Sequence, residues 1–213
     1  MIAKLGHLKS RLRAENDGVA MVEFALIAPV FAALLVGGLE VANLAITHMR
    51  VSEIANTVSD NAGRVATGMD EANVYEIFAG AGVIGSAINF EPKGRVVLSS
   101  LQENGKKGGS KGQKIEWQRC WGDKNVASSY GKEGKGKSDA SLASGMGAPG
   151  RQITSDNGNA VMFVEVTFDY SPLFLNGIIK AHPIRYETAF NVRDSRNKTI
   201  SNAQGLKKMS CGG

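Results

Sequence analysis

Glu23 is the residue with the most chemistry to explain. It stands one helical turn inside an apolar run, Val19 to Ile46 (VAMVEFALIAPVFAALLVGGLEVANLAI), which Gly18 introduces. A charge in hydrocarbon costs up to about 3 kcal/mol at the bilayer centre and less near an end, so this carboxylate calls for a partner. Cleavage after Gly18 would create one. The new α-amine on Val19 would lie about 6 Å along the helix axis from Glu23, and a neighbouring chain staggered by that rise could pair its amine with the carboxylate at low dielectric. The candidate residues are Gly18 and Val19 as a cleavage site, and Glu23 with the adjoining Phe24 as a processing and assembly motif.

Other reactive residue types are scattered. The histidines are His7, His48 and His182, and no two of them share a local pattern with a nucleophile. Gly131 to Ser138, GKEGKGKS, matches the Walker A letters. No apolar strand leads into it and no amphipathic helix leads out, so it reads as a solvated basic loop. Gly80 to Gly85, GAGVIG, matches a dinucleotide fingerprint by letter but lacks the βαβ context. Asp70-Glu71 reads as a helix boundary with a solvated face. Two distant thiols, Cys120 and Cys211, without supporting histidines make a poor metal site. The sequence therefore predicts no enzyme, no cofactor and no metal.

The element that must position Glu23 is a membrane helix. Between Glu23 and Glu40 lie sixteen uncharged residues, Phe24 to Leu39, and the run from Val19 to Ile46 is long enough to cross a hydrocarbon core. It has no polar face of the kind a buried soluble helix carries, and it exceeds the apolar core of a signal peptide. Lys4, Lys9, Arg11 and Arg13 outweigh Glu15 and Asp17 in residues 1–18, so a cytoplasmic leader, a single span over residues 19–46 and an exported remainder are expected. This makes the chain a single-pass anchor with its N-terminus in the cytoplasm. Val51, Ile54, Ala55, Val58, Ala62 and Val65 continue a helical stripe through a stalk at residues 47–68, ended by Gly68. That stripe serves either its own domain or neighbouring subunits.

The rest, residues 69–213, fits one small exported α+β domain. A shorter helix is expected within Glu71 to Asn89. Strands are expected at Arg95 to Leu101, Ile115 to Trp121, Ala160 to Tyr170 and Ile184 to Val192, forming an antiparallel sheet of about four strands. Along Ala160 to Tyr170 the alternation predicts one packed and one partly wet face. Residues 104–150 are rich in Gly, Lys and Ser and read as loops or disordered chain around one ordered island. With 25 basic and 20 acidic residues the net charge is +5, which suits solubility and surface adhesion and gives no ground for nucleic-acid binding. For exported Cys120 and Cys211 a single bridge is the economical reading, contributing about 2 to 4 kcal/mol. Free thiols and intermolecular bridging are the alternatives.

The stretch Gly18 to Asn43, GVAMVEFALIAPVFAALLVGGLEVAN, resembles the N-terminal signature of TadE-like pseudopilins of the tight adherence (Tad, or Flp) pilus system. That resemblance implies that Gly18 ends a leader removed by prepilin peptidase and that Val19 begins the mature chain. Glu23 becomes the fifth mature residue, with Phe24 as its aromatic companion, and the following helix serves assembly. More loosely, the resemblance extends to a strand-rich exported domain with two cysteines and an FNVR stretch, Phe190 to Arg193. The partners it implies are prepilin peptidase, other pilins or pseudopilins, the inner-membrane assembly platform and membrane lipid. The competing class is an uncleaved, membrane-anchored exported binding or adhesion module, in which Glu23 is an incidental helix-end acid.

Overall fold

The computed structural model describes residues 17–65, 68–156, 158–174, 180–192 and 199–212. Lys4, Lys9, Arg11, Arg13, His7, Thr67 and Arg193 lie outside the described residues. Helix α1 runs Asp17–Arg64, 48 residues without a break, with Pro29 inside it. Strand β1 (Met69–Asp70) leads into α2 (Glu71–Gly85), a 3-10 turn (Ser86–Ile88) and the short α3 (Phe90–Lys93). Asp70 caps α2: its side chain accepts from Ala72 N, and Asn73 Oδ1 accepts in return from Asp70 N. Such reciprocal caps satisfy donors that a helix start otherwise leaves open. The glycine-containing run expected to be one interrupted helix divides at Ser86, and Asn89 takes a left-handed conformation at φ 50° to reverse the chain into α3.

Strands β2 (Gly94–Glu103), β3 (Gln113–Trp121), β4 (Ala160–Tyr170) and β5 (His182–Asn191) form an antiparallel sheet in the order β3-β2-β4-β5. The architecture is α+β, with a long apolar helix leading into a four-stranded sheet. The distal half of α1 lies against β4 and β5, and α2 packs beside it. Val51, Ile54, Ala55, Val58 and Ala62 are all buried in that core with Met162, Val164, Val166 and Phe168 of β4, so the stripe on α1 is absorbed by its own domain. Gly63 sits so close to Phe190 that a Cβ there would lie 2.3 Å from the ring.

The expectation of a partly wet second face on β4 is corrected by the fold. Val161, Phe163, Glu165 and Thr167 are all buried, because the chain between β3 and β4 folds back over them. Residues 104–150 are largely irregular outside β3. Yet Leu142 and Met146 are buried in a second cluster with Leu101, Ile115, Val161 and Phe163. Average composition hid two well-placed apolar side chains and a set of backbone anchors. The half-buried Tyr130 hydroxyl donates to Glu187 at 2.8 Å and is pushed up to about 12, first by desolvation and then by the Glu187 carboxylate.

The same loop explains the Walker-like letters. Gly131, Gly134 and Gly136 adopt φ of 109°, 89° and 79°, a region that favours glycine. A Cβ on Gly136 would lie 2.1 Å from the Gln113 carbonyl oxygen. Gly134 N donates to Ile115 O at 2.8 Å, and Ile115 N donates to Lys135 O at 2.9 Å. The glycines thus let the loop cover the outer edge of β3, which protects a row of otherwise unpaired backbone groups.

The C-terminal residues are also tied down. Strand β6 (Ile200–Ser201) pairs in parallel with β1. Ser201 Oγ and Ala203 N donate to Asp70 Oδ2, Tyr75 OH donates to Lys207 O at 2.7 Å, and Cys120 N donates to Met209 O at 2.8 Å. Cys120 and Cys211 are joined by a disulfide.

Candidate assembly site on the N-terminal helix

Among the described residues, the proximal half of α1 has no tertiary partner. From Gly18 to Leu39 no residue is buried, and Val19, Phe24, Leu26, Phe31 and Leu34 are 58 to 73 % exposed. The most apolar stretch has a mean hydropathy of 2.5, and none of it is buried. In a water-soluble fold such a surface would be a large uncovered apolar patch. Its length and composition suit a single-pass membrane anchor.

Glu23 is exposed on this helix and has no hydrogen-bond or ion-pair partner among the described residues. Val19 lies one turn before it and Phe24 directly after it, both with outward side chains. Gly18 is helical, and a Cβ built on it would meet nothing within 4 Å. A helical glycine costs roughly 1 kcal/mol relative to alanine, and no packing among the described residues requires that cost. The four residues are thus close in register along one turn and a half, without a contact that fixes them to the folded domain.

Glu40, at the far end of the apolar run, is the opposite case. It is 1 % exposed. Tyr170 OH donates to its Oε1 at 2.5 Å, while Leu173 N and Phe174 N each donate to Oε2 at 3.0 Å. Asn43 Nδ2 in turn donates to Tyr170 OH at 3.2 Å. Burial and then the Glu40 carboxylate raise the Tyr170 hydroxyl above its ordinary range, because both disfavour a second negative charge. By sequence Glu40 is only the end of the apolar run, and Tyr170 the end of a strand. A signal was present: the buried stripe of α1, traced backwards through Val51, Thr47 and Leu44 at helical spacing, arrives at Glu40.

A second buried carboxylate corrects the reading of Glu71 as solvated. Glu71 is 0 % and Arg119 is 2 % exposed. Arg119 Nε donates to both Glu71 oxygens at 2.9 and 3.0 Å, Nη2 donates to Oε1 at 2.5 Å, and Nη1 donates to Glu133 Oε2 at 2.9 Å. Desolvation would lower the guanidinium, but Glu71 and Glu133 outweigh it and the group is raised. This fork locks the start of α2 to β3 beside the Cys120–Cys211 bridge.

His48 Nδ1 lies 3.3 Å from Tyr186 OH, and His182 Nδ1 lies 3.2 Å from Lys180 O, so the two rings occupy separate surroundings. His48 and Ser52 share an open groove along α1, with no hydrogen bond between them among the described residues. Nor do the described residues contain a cluster of three His, Cys, Asp or Glu that could hold a metal ion.

The family model described as TadE-like protein matches residues 18–59. This helix is TadE-like. The match begins at Gly18, takes in Val19, Glu23 and Phe24, passes Glu40, and ends within the part of α1 that packs on the sheet. No curated protein and no solved structure matches the chain. The TadE-like likeness therefore rests on the helix, and the sheet domain carries its own physical description.

Proposed function

We propose that this chain is a pilin-like assembly subunit of a Tad-type pilus, made as a precursor and cleaved by prepilin peptidase after Gly18. Its domain has its sheet on the exported side, and the helix holds it in the inner membrane until it joins other pilins or pseudopilins at the assembly platform. The carrying observation is the contrast along α1: the TadE-like segment leaves Gly18 to Leu39 uncovered by its own domain. Such a surface is suited first to lipid and then to neighbouring helices, since both accept an all-round apolar helix.

Cleavage would leave the Val19 amine about 6 Å along the axis from Glu23. Within one chain the amine sits at the helix start, so the carboxylate is available to the amine of a staggered neighbour, in a setting where charge pairing is strong. Just beyond Glu40, Val41, Ile46 and Met49 are 67, 54 and 70 % exposed on the side away from the sheet. They extend the same uncovered surface towards neighbouring subunits.

The test is intact mass and N-terminal sequence of the protein from cells with and without their prepilin peptidase. A chain beginning at Val19 only when the peptidase is present supports the precursor reading. A chain that keeps Gly18 in both strains makes it a fixed membrane anchor with an exported binding domain. Gly18→Val should block processing while leaving insertion intact, because an extended-backbone protease site has no room for the side chain.

A further inference from the structure

We propose that the exported domain has a second contact with the membrane, in which Leu173 and Phe174 enter the headgroup boundary of the bilayer beside the span. This inference rests on the membrane-anchored reading above and adds to it a fixed seat for the domain on the lipid surface. Glu40 sets the height. Its carboxylate accepts from the backbone amides of both Leu173 and Phe174, so the turn after β4 is held level with the first buried residue of α1. The uncovered helix below that level, Gly18 to Leu39, is 22 residues, or about 33 Å at helical rise, against a hydrocarbon core of about 30 Å. Glu40 then falls at the exported boundary, and the turn falls with it.

The side chains of that turn are apolar and outward. Leu173 is 57 % and Phe174 is 60 % exposed, while their backbone donors are satisfied by Glu40, which removes the main cost of placing irregular chain at this depth. Basic groups lie alongside. Lys180 is exposed just before β5, and Lys93, also exposed, lines with Asn43, Tyr170 and Leu173 a cleft of about 240 Å³ opening beside the helix. An aromatic ring and a leucine at the interface with lysines at headgroup level is the arrangement that binds anionic bilayer surfaces. Lipid is favoured over a protein partner because the patch adjoins the end of the span: Glu40, the residue after Leu39, holds the backbone amide of Phe174.

The experiment uses the full chain, with its disulfide oxidised, in vesicles of phosphatidylethanolamine and phosphatidylglycerol. An environment-sensitive fluorophore is attached to Phe174→Cys, to Leu34→Cys as a reporter of the span, and to Ile153→Cys on the far loop. Lipids carrying a spin label at the headgroup or deep in the chain serve as quenchers. The expected result is blue-shifted emission at position 174, quenched most by the headgroup label. Position 34 should be quenched most by the deep label, and position 153 by neither. Water-like, unquenched emission at 174 with a quenched position 34 overturns the seat while leaving the span standing. Absence of quenching at 34 overturns the membrane reading itself. Phe174 is exposed, so the labelled variant should melt in detergent at the wild-type temperature. A variant that melts lower is replaced by one labelled at Leu173, read in the same way.

Discussion

Glu23 and Glu40 sit on the same helix, at the two ends of one apolar run, and only one of them has partners among the described residues. Glu40 is buried under a tyrosine hydroxyl and two backbone amides. Glu23 is exposed with no partner among the described residues. A carboxylate satisfied at home is architectural, because its hydrogen bonds fix where two elements meet. One left open on an apolar surface must find its counter-charge outside the fold, or carry the desolvation cost. The two ends of the run thus divide the helix into a part that belongs to the domain and a part that the domain leaves uncovered.

That division predicts that carboxylates with home partners control folding. The largest effect should come from Glu71, which is fully buried and paired with the charge of Arg119. Arg119→Met leaves Glu71 buried without its fork, and breaking such a pair costs about 3 to 5 kcal/mol. Chemical denaturation of the oxidised protein in detergent checks this. A loss below about 1 kcal/mol would mean that water reaches Glu71 and that the pair is not architectural. Next in size, replacing both Cys120 and Cys211 by serine should cost about 2 to 4 kcal/mol by releasing a loop closed across 91 residues. It should also free the tail, seen as faster amide exchange at Cys120→Ser, where the backbone N–H donates to Met209.

The sequence made these roles unevenly legible. The four long strands were readable because β-branched and aromatic residues alternate between punctuating glycines and prolines, and the stripe from Val51 to Ala62 was readable because it repeats at helical spacing. The second cluster was not. Leu142 and Met146 are isolated apolar residues in a Gly, Lys and Ser background, and only the folded loop shows that they meet Leu101 and Phe163. Glu71 was misread for a related reason: a helix-start acid is ordinarily solvated, and its partner Arg119 lies 48 positions away. Glu40 was within reach, since the stripe phase points to it. Tyr170 and the amides of Leu173 and Phe174 come from a strand end that no local pattern connects to α1.

At the domain end of the run, Tyr170→Phe removes one donor to a charged acceptor and should cost about 1.5 to 3 kcal/mol. Glu40→Gln should cost a similar amount, because it weakens all three bonds at once. Since the Tyr170 hydroxyl is raised in the folded protein, its stabilisation is fully present below the ordinary phenol value of 10.0 and is lost as pH rises through the folded value. Wild type should therefore lose stability above that pH faster than Tyr170→Phe. Equal slopes would mean that the Glu40 cluster does not hold the two elements together. At the opposite end of the pH scale, Asp70 is lowered by its bonds to Ser201, Ala72 and Ala203. Its contribution is present above the ordinary carboxyl value of 3.8 and is lost as pH falls below it. Asp70→Asn should therefore flatten the acid limb of the melting curve slightly.

The smallest effect on folding should come from Glu23, and its smallness carries the argument. Glu23→Ala removes no hydrogen bond among the described residues and opens no cavity, so the melting temperature in detergent should stay within the range of ordinary surface changes, about 0.5 kcal/mol either way. Removing a charge from the apolar run should also ease insertion. If the counter-charge comes from a neighbour, the same variant should lose incorporation into filaments and copurification with other pilins, while remaining folded, oxidised and membrane-bound. Glu23→Gln keeps the shape without the charge and should fail in the same way; a glutamine that assembles normally would show that hydrogen bonding suffices and that no amine need be paired. A Glu23→Ala chain that unfolds in detergent would instead show that the open end of the run has a home partner after all, and the distinction between the two ends of the helix would fall with it.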